Sequence, residues 1–179
     1  MNNSSKLLLV TGVGPGTGSA IVRYFASHGY RVAMMARNEK RLQELVKMIP
    51  GTSAFPCDVT DIDRLTTQLS LIEQDHGSPD VLIHNAVGGA FGSFMDIEPA
   101  VLERNFQVNT MALLHLARWL GPAMIERGSG SILATGNTSA YRGKAGFAGF
   151  APTKAAQRIL LESMARSLGP EGIHVAYCA

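Results

Sequence analysis

A glycine-rich run near the start of the chain carries the clearest chemical signal in this sequence. It reads Thr11-Gly-Val-Gly-Pro-Gly-Thr-Gly18 and follows the apolar stretch Leu7–Val10. Glycine has no Cβ, so backbone N–H groups in such a turn can close on a large anion, and a following helix points its positive end there. The spacing of Thr11, Gly12, Gly16, Thr17 and Gly18 predicts a site for the diphosphate of a dinucleotide, with a purely structural turn as the alternative.

The end of the second apolar stretch, Arg31–Ala36, bears on which dinucleotide would bind. A fold that selects NAD places a carboxylate there for the ribose 2′-hydroxyl, whereas this chain has Ala36 followed by Arg37. A guanidinium can hold a 2′-phosphate through two N–H donors. The pair therefore favours NADP(H) over NAD(H); the alternative is that Arg37 is a solvated residue at the start of a charged helix.

Two polar residues fall on otherwise apolar helical stripes. Asn109 shares its stripe with Leu102, Phe106, Leu113, Leu116 and Leu120, and Lys154 shares its face with Leu161 and Leu168. Burying a carboxamide or an ammonium group without partners is costly. We therefore expect Asn109 to meet polar groups and Lys154 to have a role beyond solubility; a core asparagine satisfied locally is the alternative for Asn109.

Strand-like and helix-like patterns alternate along the whole chain. Strands are predicted at Leu7–Val10, Arg31–Ala36, Ser53–Cys57, Val81–His84, Ser131–Thr135 and His174–Tyr177, and helices near 16–28, 39–48, 62–76, 99–127 and 152–168. This alternation implies right-handed crossovers and a parallel sheet covered on both faces. The predicted fold is α/β, a doubly wound Rossmann-type sheet in one domain over residues 1–179.

These features together resemble the short-chain dehydrogenase/reductase family, and the resemblance covers essentially all 179 residues. The turn spacing Thr-Gly-x-x-x-Gly-x-Gly, then Asp58-Val59, Asn85-Ala86, Asn109 and Lys154 follow in the family's order. The resemblance implies that Asp58-Val59 lies along the adenine and that Asn85-Ala86 ends the fourth strand. It also implies that Asn109 helps hold a water chain. Lys154 would bind the nicotinamide ribose and lower the pKa of a catalytic tyrosine four residues earlier.

Local alternatives exist for two of these matches. The alternative for Asp58-Val59 is local: Thr60 or Asp61 caps the next helix, a role that can coexist with a cofactor contact by Asp58. Val87 replaces the glycine that follows Asn-Ala in the family, and Gly88-Gly89 directly after it could restore a close backbone approach.

Two departures affect the expected chemistry. Phe150 stands where the family has its tyrosine, and it has no exchangeable proton. Asn137, thirteen residues earlier, stands where the family has the serine that polarises the carbonyl, although an amide N–H can also donate to an oxyanion. Thr138, Ser139 and Tyr141 lie close by as displaced donors.

Two functions follow from this pattern. The first is an NADP(H)-dependent oxidoreductase of the short-chain type with a non-standard proton donor, which would be Thr138, Ser139 or a water held by Lys154 and Asn109. The second is an NADP(H)-binding protein with a lapsed active site that serves as a partner or sensor. A small-molecule substrate belongs to the first function.

Composition excludes several other classes. The 16 basic and 14 acidic residues leave a net charge of +2 with no long basic run, which gives no support for nucleic-acid or membrane-surface binding. No apolar stretch reaches the ~18–20 residues that span a bilayer. Cys57 and Cys178 have no metal-ligand spacing, so we expect no metal, buried free thiols and a reducing cytoplasm.

Assembly and chain length follow from the resemblance. Members commonly pair two helices of each subunit, and the residues expected at such a surface are Trp119, Leu120, Met124, Leu160 and Met164. A homodimer or homotetramer is therefore predicted. Members also continue past a sixth strand into a substrate-covering segment and a seventh strand, so this chain is expected to be part of a longer one; a gene product that is itself short is the alternative.

Overall fold

The computed structural model describes residues 5–179, and its elements follow the predicted alternation. The strands are β1 (Leu7–Thr11), β2 (Arg31–Ala36), β3 (Thr52–Pro56), β4 (Val81–His84), β5 (Gly130–Thr135) and β6 (Ile173–Cys178). The helices are α1 (Thr17–Ser27), α2 (Glu39–Met48), α3 (Ile62–His76), α4 (Pro99–Phe106), α5 (Ala112–Arg127) and α6 (Ala151–Leu168). Each predicted strand is present, and each predicted helix except the one over 99–127, which is divided; the ends of the others differ by at most one residue.

The six strands form one sheet in the order β3-β2-β1-β4-β5-β6. The described pairings of β1 with β2 and β4, of β2 with β3, and of β5 with β6 are all parallel. This is the strand order of a doubly wound dinucleotide fold, in which ligands bind beyond the carboxyl ends of the strands where the order reverses. The predicted fold class is therefore confirmed.

The chain divides into two compact units, residues 1–85 and 86–179. In the first, β1 is buried along its whole length and its neighbours are nearly as apolar, as expected for parallel strands covered on both faces. Its helices α2 and α3 begin at side-chain caps, where Asn38 accepts from Arg41 N and Asp61 accepts from Arg64 N. Asp61, and not Thr60, is therefore the cap of α3.

The second unit contains a feature that the sequence did not predict. The long helix expected over 99–127 is interrupted between α4 and α5 by a π-helical segment, Gln107–Met111, which includes Asn109. Such segments shift the backbone bonding from i+4 to i+5 and are frequent at functional sites. A 3₁₀ turn, Thr138–Tyr141, also follows β5, and a second one, Gly169–Glu171, follows α6.

Two residues of the expected subunit surface are in the wrong place for that role. Leu120 and Met124 have no exposed surface, because both pack into the core of their own unit. Trp119, Leu160 and Met164 are half-buried. The prediction that Leu120 and Met124 offer apolar surface to a partner is therefore wrong.

The cysteines also differ from expectation. Both are free, but only Cys57 is buried, whereas Cys178 is exposed at the end of β6. Burial raises the pKa of the Cys57 thiol to about 11. Within residues 5–179, no helix is both long and apolar enough to cross a membrane.

Candidate active site

The glycine-rich turn in the first unit links β1 to α1 through an unusually close backbone contact. A Cβ on Gly18 would lie 2.6 Å from Gly12 O and 2.8 Å from Val13 Cα, so only glycine fits there. The first turn of α1 thus lies directly against the end of β1. A Cβ on Gly14 or Gly16 would meet nothing within 4 Å, which leaves open space on the other side of the turn.

Three strand ends hold this turn in place. Asn85, directly after β4, donates from Nδ2 to Gly12 O at 2.7 Å, and Gly12 N donates to Met35 O of β2 at 2.8 Å. Thr11 and His84 share a buried hydrogen bond of 2.9 Å between Oγ1 and Nδ1. Asn85 therefore fixes the turn through its side chain, a structural role besides the cofactor contact expected of it.

The start of α1 suits an anion. Gly16 is its N-cap and supplies no side-chain hydrogen bond, and Thr17 begins the helix with an exposed side chain. A helix start without a side-chain cap, facing open space at Gly14 and Gly16, is the arrangement in which backbone N–H groups and the helix dipole bind a phosphate. These residues fit a dinucleotide diphosphate.

The remaining predicted cofactor residues of the first unit lie at the same edge of the sheet. Arg37 is exposed at the end of β2. Cys57 N donates to Ala36 O at 3.0 Å, which brings Asp58 beside that strand end. Asp58 Oδ1 accepts from Thr60 N at 3.1 Å and from Thr60 Oγ1 at 2.8 Å, so part of its carboxylate shapes the turn. Val59 is buried.

A buried lysine is the central group of the second unit. The side chain of Lys154 is only 2 % exposed, and its Nζ donates to Thr135 O at 3.0 Å and to Gln157 Oε1 at 2.9 Å. Both acceptors are uncharged. Burial lowers the pKa of Lys154 to about 8 because the ammonium form is poorly solvated.

Gln157 connects this lysine to the π-helical segment. It is fully buried, and while its Oε1 accepts from Lys154, its Nε2 donates to Asn109 O at 2.7 Å. Sequence reasoning missed Gln157, although it lies three residues after Lys154 on a helix and hence on the same face. That spacing was the one available signal.

The side chain of Asn109 is fully engaged by its own unit. Its Oδ1 accepts from Gly88 N at 2.9 Å, and its Nδ2 donates to Gly88 O at 2.7 Å and to Thr153 Oγ1 at 2.8 Å. A Cβ on Gly88 would lie 2.7 Å from Asn105 Oδ1. The close backbone approach thus occurs at Gly88, and it is the main-chain carbonyl of Asn109 that leads to the lysine.

Phe150 immediately precedes α6 and is 8 % exposed. Its ring centroid lies 6.0 Å from Lys154 Nζ, and its ring packs near Phe91, at a centroid distance of 5.7 Å, and against Gly89. An aromatic ring at this distance interacts weakly with an ammonium but has no proton to give. The structure thus brings Phe150 and Lys154 together.

Asn137 follows β5 and has a defined amide orientation. Its Oδ1 accepts from Ser139 N at 2.9 Å, which leaves its Nδ2 as the outward donor. Tyr177 of β6 fixes its backbone, accepting from Asn137 N at 2.8 Å and donating to Asn137 O at 3.2 Å. No sequence pattern predicts this tyrosine contact.

The nearby displaced donors differ in access. Thr138 is exposed, and Ser139 is buried with no hydrogen-bond partner for its Oγ in the described part of the chain. Tyr141 is 63 % exposed, with the Arg158 guanidinium 4.8 Å from its ring centroid. Within residues 5–179, no group of three or more His, Cys, Asp or Glu side chains is placed to hold a metal ion.

Comparison with known proteins agrees with this geometry. A family model described as short chain dehydrogenase matches residues 6–179. Carbonyl reductase [NADPH] 2 of Sus scrofa is 32 % identical over 176 residues, a match that covers 98 % of this chain and 70 % of that protein.

Two solved structures are similar throughout. A short-chain dehydrogenase from Streptomyces avermitilis has a TM-score of 0.94 and 34 % identity, with 99 % of this chain and 65 % of that one covered. L-sorbose reductase from Gluconobacter frateurii, complexed with NADPH and L-sorbose, has a TM-score of 0.91 and 26 % identity, covering 97 % and 68 %. The chain thus spans about two thirds of the length of the proteins it matches.

Gly18→Ala and Gly16→Ala test the glycine turn as a matched pair. The methyl group at position 18 meets backbone atoms, so we expect the free energy of unfolding without ligand to fall by about 1–3 kcal/mol. The methyl group at position 16 meets open space, so the loss there stays below about 1 kcal/mol. Urea unfolding of both variants measures the difference, and equal stabilities would contradict the close contact.

Gly16→Ala is nevertheless expected to weaken NADPH binding in a fluorescence titration, because the methyl occupies the open side of the turn.

Proposed function

Because the chain belongs to the short-chain dehydrogenase family, we propose that it is an NADP(H)-dependent oxidoreductase that interconverts a carbonyl and an alcohol on a small molecule. The observation that carries the proposal is the buried Lys154 ammonium, held by two uncharged acceptors. An ammonium has three N–H donors, and the third has no partner among residues 5–179. That donor is available to a ligand.

The first unit provides the cofactor part of the proposal. The turn residues Thr11, Gly12, Gly16, Thr17 and Gly18 would hold the diphosphate, since α1 starts there without a side-chain cap. Asp58-Val59 would lie along the adenine, and Asn85, with Ala86 at the start of the second unit, would contact the cofactor beyond the end of β4. The exposed Arg37 guanidinium would bind the 2′-phosphate of NADP(H).

The second unit provides the chemistry. When bound, NADP(H) supplies or accepts the hydride. Asn137 Nδ2, oriented outward by the Ser139 N–H, would donate to the carbonyl oxygen as negative charge develops on it. A water on the free N–H of Lys154 would deliver the proton that completes the alcohol. Lys154 can replace that proton near neutral pH, since the pKa of its side chain lies at about 8.

A second candidate function is favoured by Phe150. The ring is buried beside Lys154 and carries no hydroxyl. Under this alternative the protein binds NADP(H) through the same turn but reduces nothing, and it serves as a partner or sensor. Activity with NADPH across a carbonyl panel separates the two candidates.

We also propose that the protein assembles as a homodimer or homotetramer. The half-buried side chains Trp119 on α5, with Leu160 and Met164 on α6, support this, since these two helices are the ones that members of the family commonly pair. With Leu120 and Met124 inside the core, the apolar area offered is smaller than the sequence suggested.

Arg37→Ala is expected to remove the preference for NADPH over NADH. A bidentate contact with a charged group is worth about 1.5–3 kcal/mol, so the preference changes roughly 10- to 100-fold. Fluorescence titrations with both cofactors measure it. Lys47→Ala is the control, because it removes the same charge at the other end of α2. An unchanged NADPH/NADH ratio in Arg37→Ala would rule out the 2′-phosphate contact.

Phe150→Tyr tests the chemistry directly. If the reaction lacks an efficient proton donor, a phenol beside Lys154 is expected to raise NADPH-dependent carbonyl reduction by about 10²–10⁴-fold. The double variant Phe150→Tyr with Asn137→Ser is tested alongside, because donor and polariser act as a unit.

The matched control is Phe147→Tyr, which adds a phenol three residues away on the same aromatic cluster. If the wild type already works by another route, Phe150→Tyr leaves its rate flat or lowers it. A double variant that binds NADPH yet reduces nothing would favour the binding protein over the oxidoreductase.

Light scattering at micromolar concentration tests assembly. We expect at least a dimer, and Met164→Glu is expected to dissociate it by placing a charge in the apolar contact. Leu71→Glu on α3 of the first unit is the control, since Leu71 is 39 % exposed and lies on neither helix. A stable wild-type monomer would contradict the proposal.

A further inference from the structure

A buried carboxamide, that of Gln157, joins two other buried polar residues of the second unit, Lys154 and Asn109. Gln157 has no exposed surface, and neither does Asn109, while Lys154 is 2 % exposed. The chain of contacts runs from Asn109 O to Gln157 Nε2 at 2.7 Å and from Gln157 Oε1 to Lys154 Nζ at 2.9 Å. No other side chain in residues 5–179 hydrogen-bonds the ammonium.

The orientation of this carboxamide is fixed by its partners. An ammonium can only donate and a carbonyl can only accept, so Oε1 must face Lys154 and Nε2 must face Asn109. Reversing the amide would place a donor against a donor and an acceptor against an acceptor. The bridge therefore has one arrangement and holds Lys154 Nζ at one place.

The far end of the bridge belongs to a segment that is fixed against α6. Asn109 lies in the π-helical segment, and its main-chain carbonyl accepts from Gln157, a residue outside that segment. The same segment is clamped to α6 by Asn109 Nδ2 on Thr153 Oγ1 at 2.8 Å and by Thr110 Oγ1 on Thr153 O at 3.2 Å. The carbonyl that receives Gln157 is thus held rigidly relative to Lys154.

We propose that Gln157 is the positioning residue for Lys154, a neutral bridge that holds the ammonium against the π-helical segment and stabilises its protonated form. The inference rests on the proposed function only in that Lys154 is the group offered to the ligand. Because a carboxamide has no ionisable proton, the bridge fixes the lysine without passing its proton into the helix. Gln157 does not touch the reacting atoms.

The direct test is the pKa of Lys154 in the full chain, measured by NMR titration of its Nζ and Cε signals. Lys154→Met identifies these signals by their loss. Burial is the cause of the present lowering, and Thr135 O, Gln157 Oε1 and the Phe150 ring face the ammonium. No carboxylate is among these neighbours.

Gln157→Leu removes the acceptor at similar size, so we expect the pKa of Lys154 to fall by about one to two pH units, since a hydrogen bond to the charged form favours that form. Gln157→Glu puts a carboxylate beside the ammonium and gives up the donor to Asn109 O, and we expect the nearby negative charge to raise the pKa of Lys154 by about one to three pH units. The opposite signs are the signature of a bridge that acts on the lysine.

Leu161→Ala is the control for general damage. Leu161 is 2 % exposed and lies one turn after Gln157 on α6, so its truncation loosens the same packing without touching Lys154. We expect Leu161→Ala to lower stability and leave the pKa of Lys154 within about 0.3 pH unit of the wild-type value. Should Gln157→Leu fail to fold, Gln157→Glu against Leu161→Ala decides alone.

A Lys154 pKa that stays unchanged in the Gln157 variants, or that moves equally in Leu161→Ala, overturns the inference. This measurement needs no substrate, so it stands apart from the proposed oxidoreductase. In an active protein, the pH midpoint of NADPH-dependent reduction is expected to move with the pKa. If the pKa moves while that midpoint does not, the proposed role of Lys154 in catalysis fails and the bridge remains.

Discussion

The burial of one ammonium group, that of Lys154, constrains the residues packed around it in the second unit. Lys154 is almost completely removed from water, and an isolated charge there would be very costly. The chain supplies acceptors instead of a counter-ion: a strand-end carbonyl at Thr135 and the amide oxygen of Gln157. Neutral acceptors solvate the ammonium only partly, and its pKa accordingly falls to about 8. A carboxylate partner would instead have stabilised the ammonium form and raised the pKa of Lys154.

The first unit satisfies a different constraint by different means. Its glycine-rich turn leaves backbone open on one side, at Gly14 and Gly16, and neighbouring side chains hold the turn in place. Gly18 permits the contact with Gly12 O, and Asn85 holds that same carbonyl from the neighbouring strand. The polar side chain of Asn85 therefore supports the backbone of the turn, whereas in the second unit the polar side chains of Lys154 and Gln157 bond to one another.

The sequence predicted the fold well because apolar periodicity and turn residues are local signals. Every strand, and every helix except the one expected over 99–127, lies within one residue of its expected ends. It could not predict the π-helical segment, since a single i+5 turn hardly disturbs a stripe of period 3.6. Gln157 escaped notice because a polar residue among apolar ones reveals burial only when its partners, far along the chain, are known. The burial of Leu120 and Met124 likewise depends on how deeply one helix sits, which a stripe does not specify.

Two of the hydrogen-bonded arrangements, at Gly12 and at Asn137, need a partner residue that is synthesised much later. The turn at Gly12 waits for Asn85, which is 73 residues further on, and the backbone at Asn137 waits for Tyr177, 40 residues further on. At the usual pace of synthesis, about 5–20 residues per second, Asn85 follows Gly12 by roughly 4–15 seconds. The nascent glycine turn is therefore made well before it is held in shape, and contacts of such long sequence separation form slowly. Tight dinucleotide binding would consequently report that residues 5–85 have folded as a whole, and not merely that the turn has been synthesised.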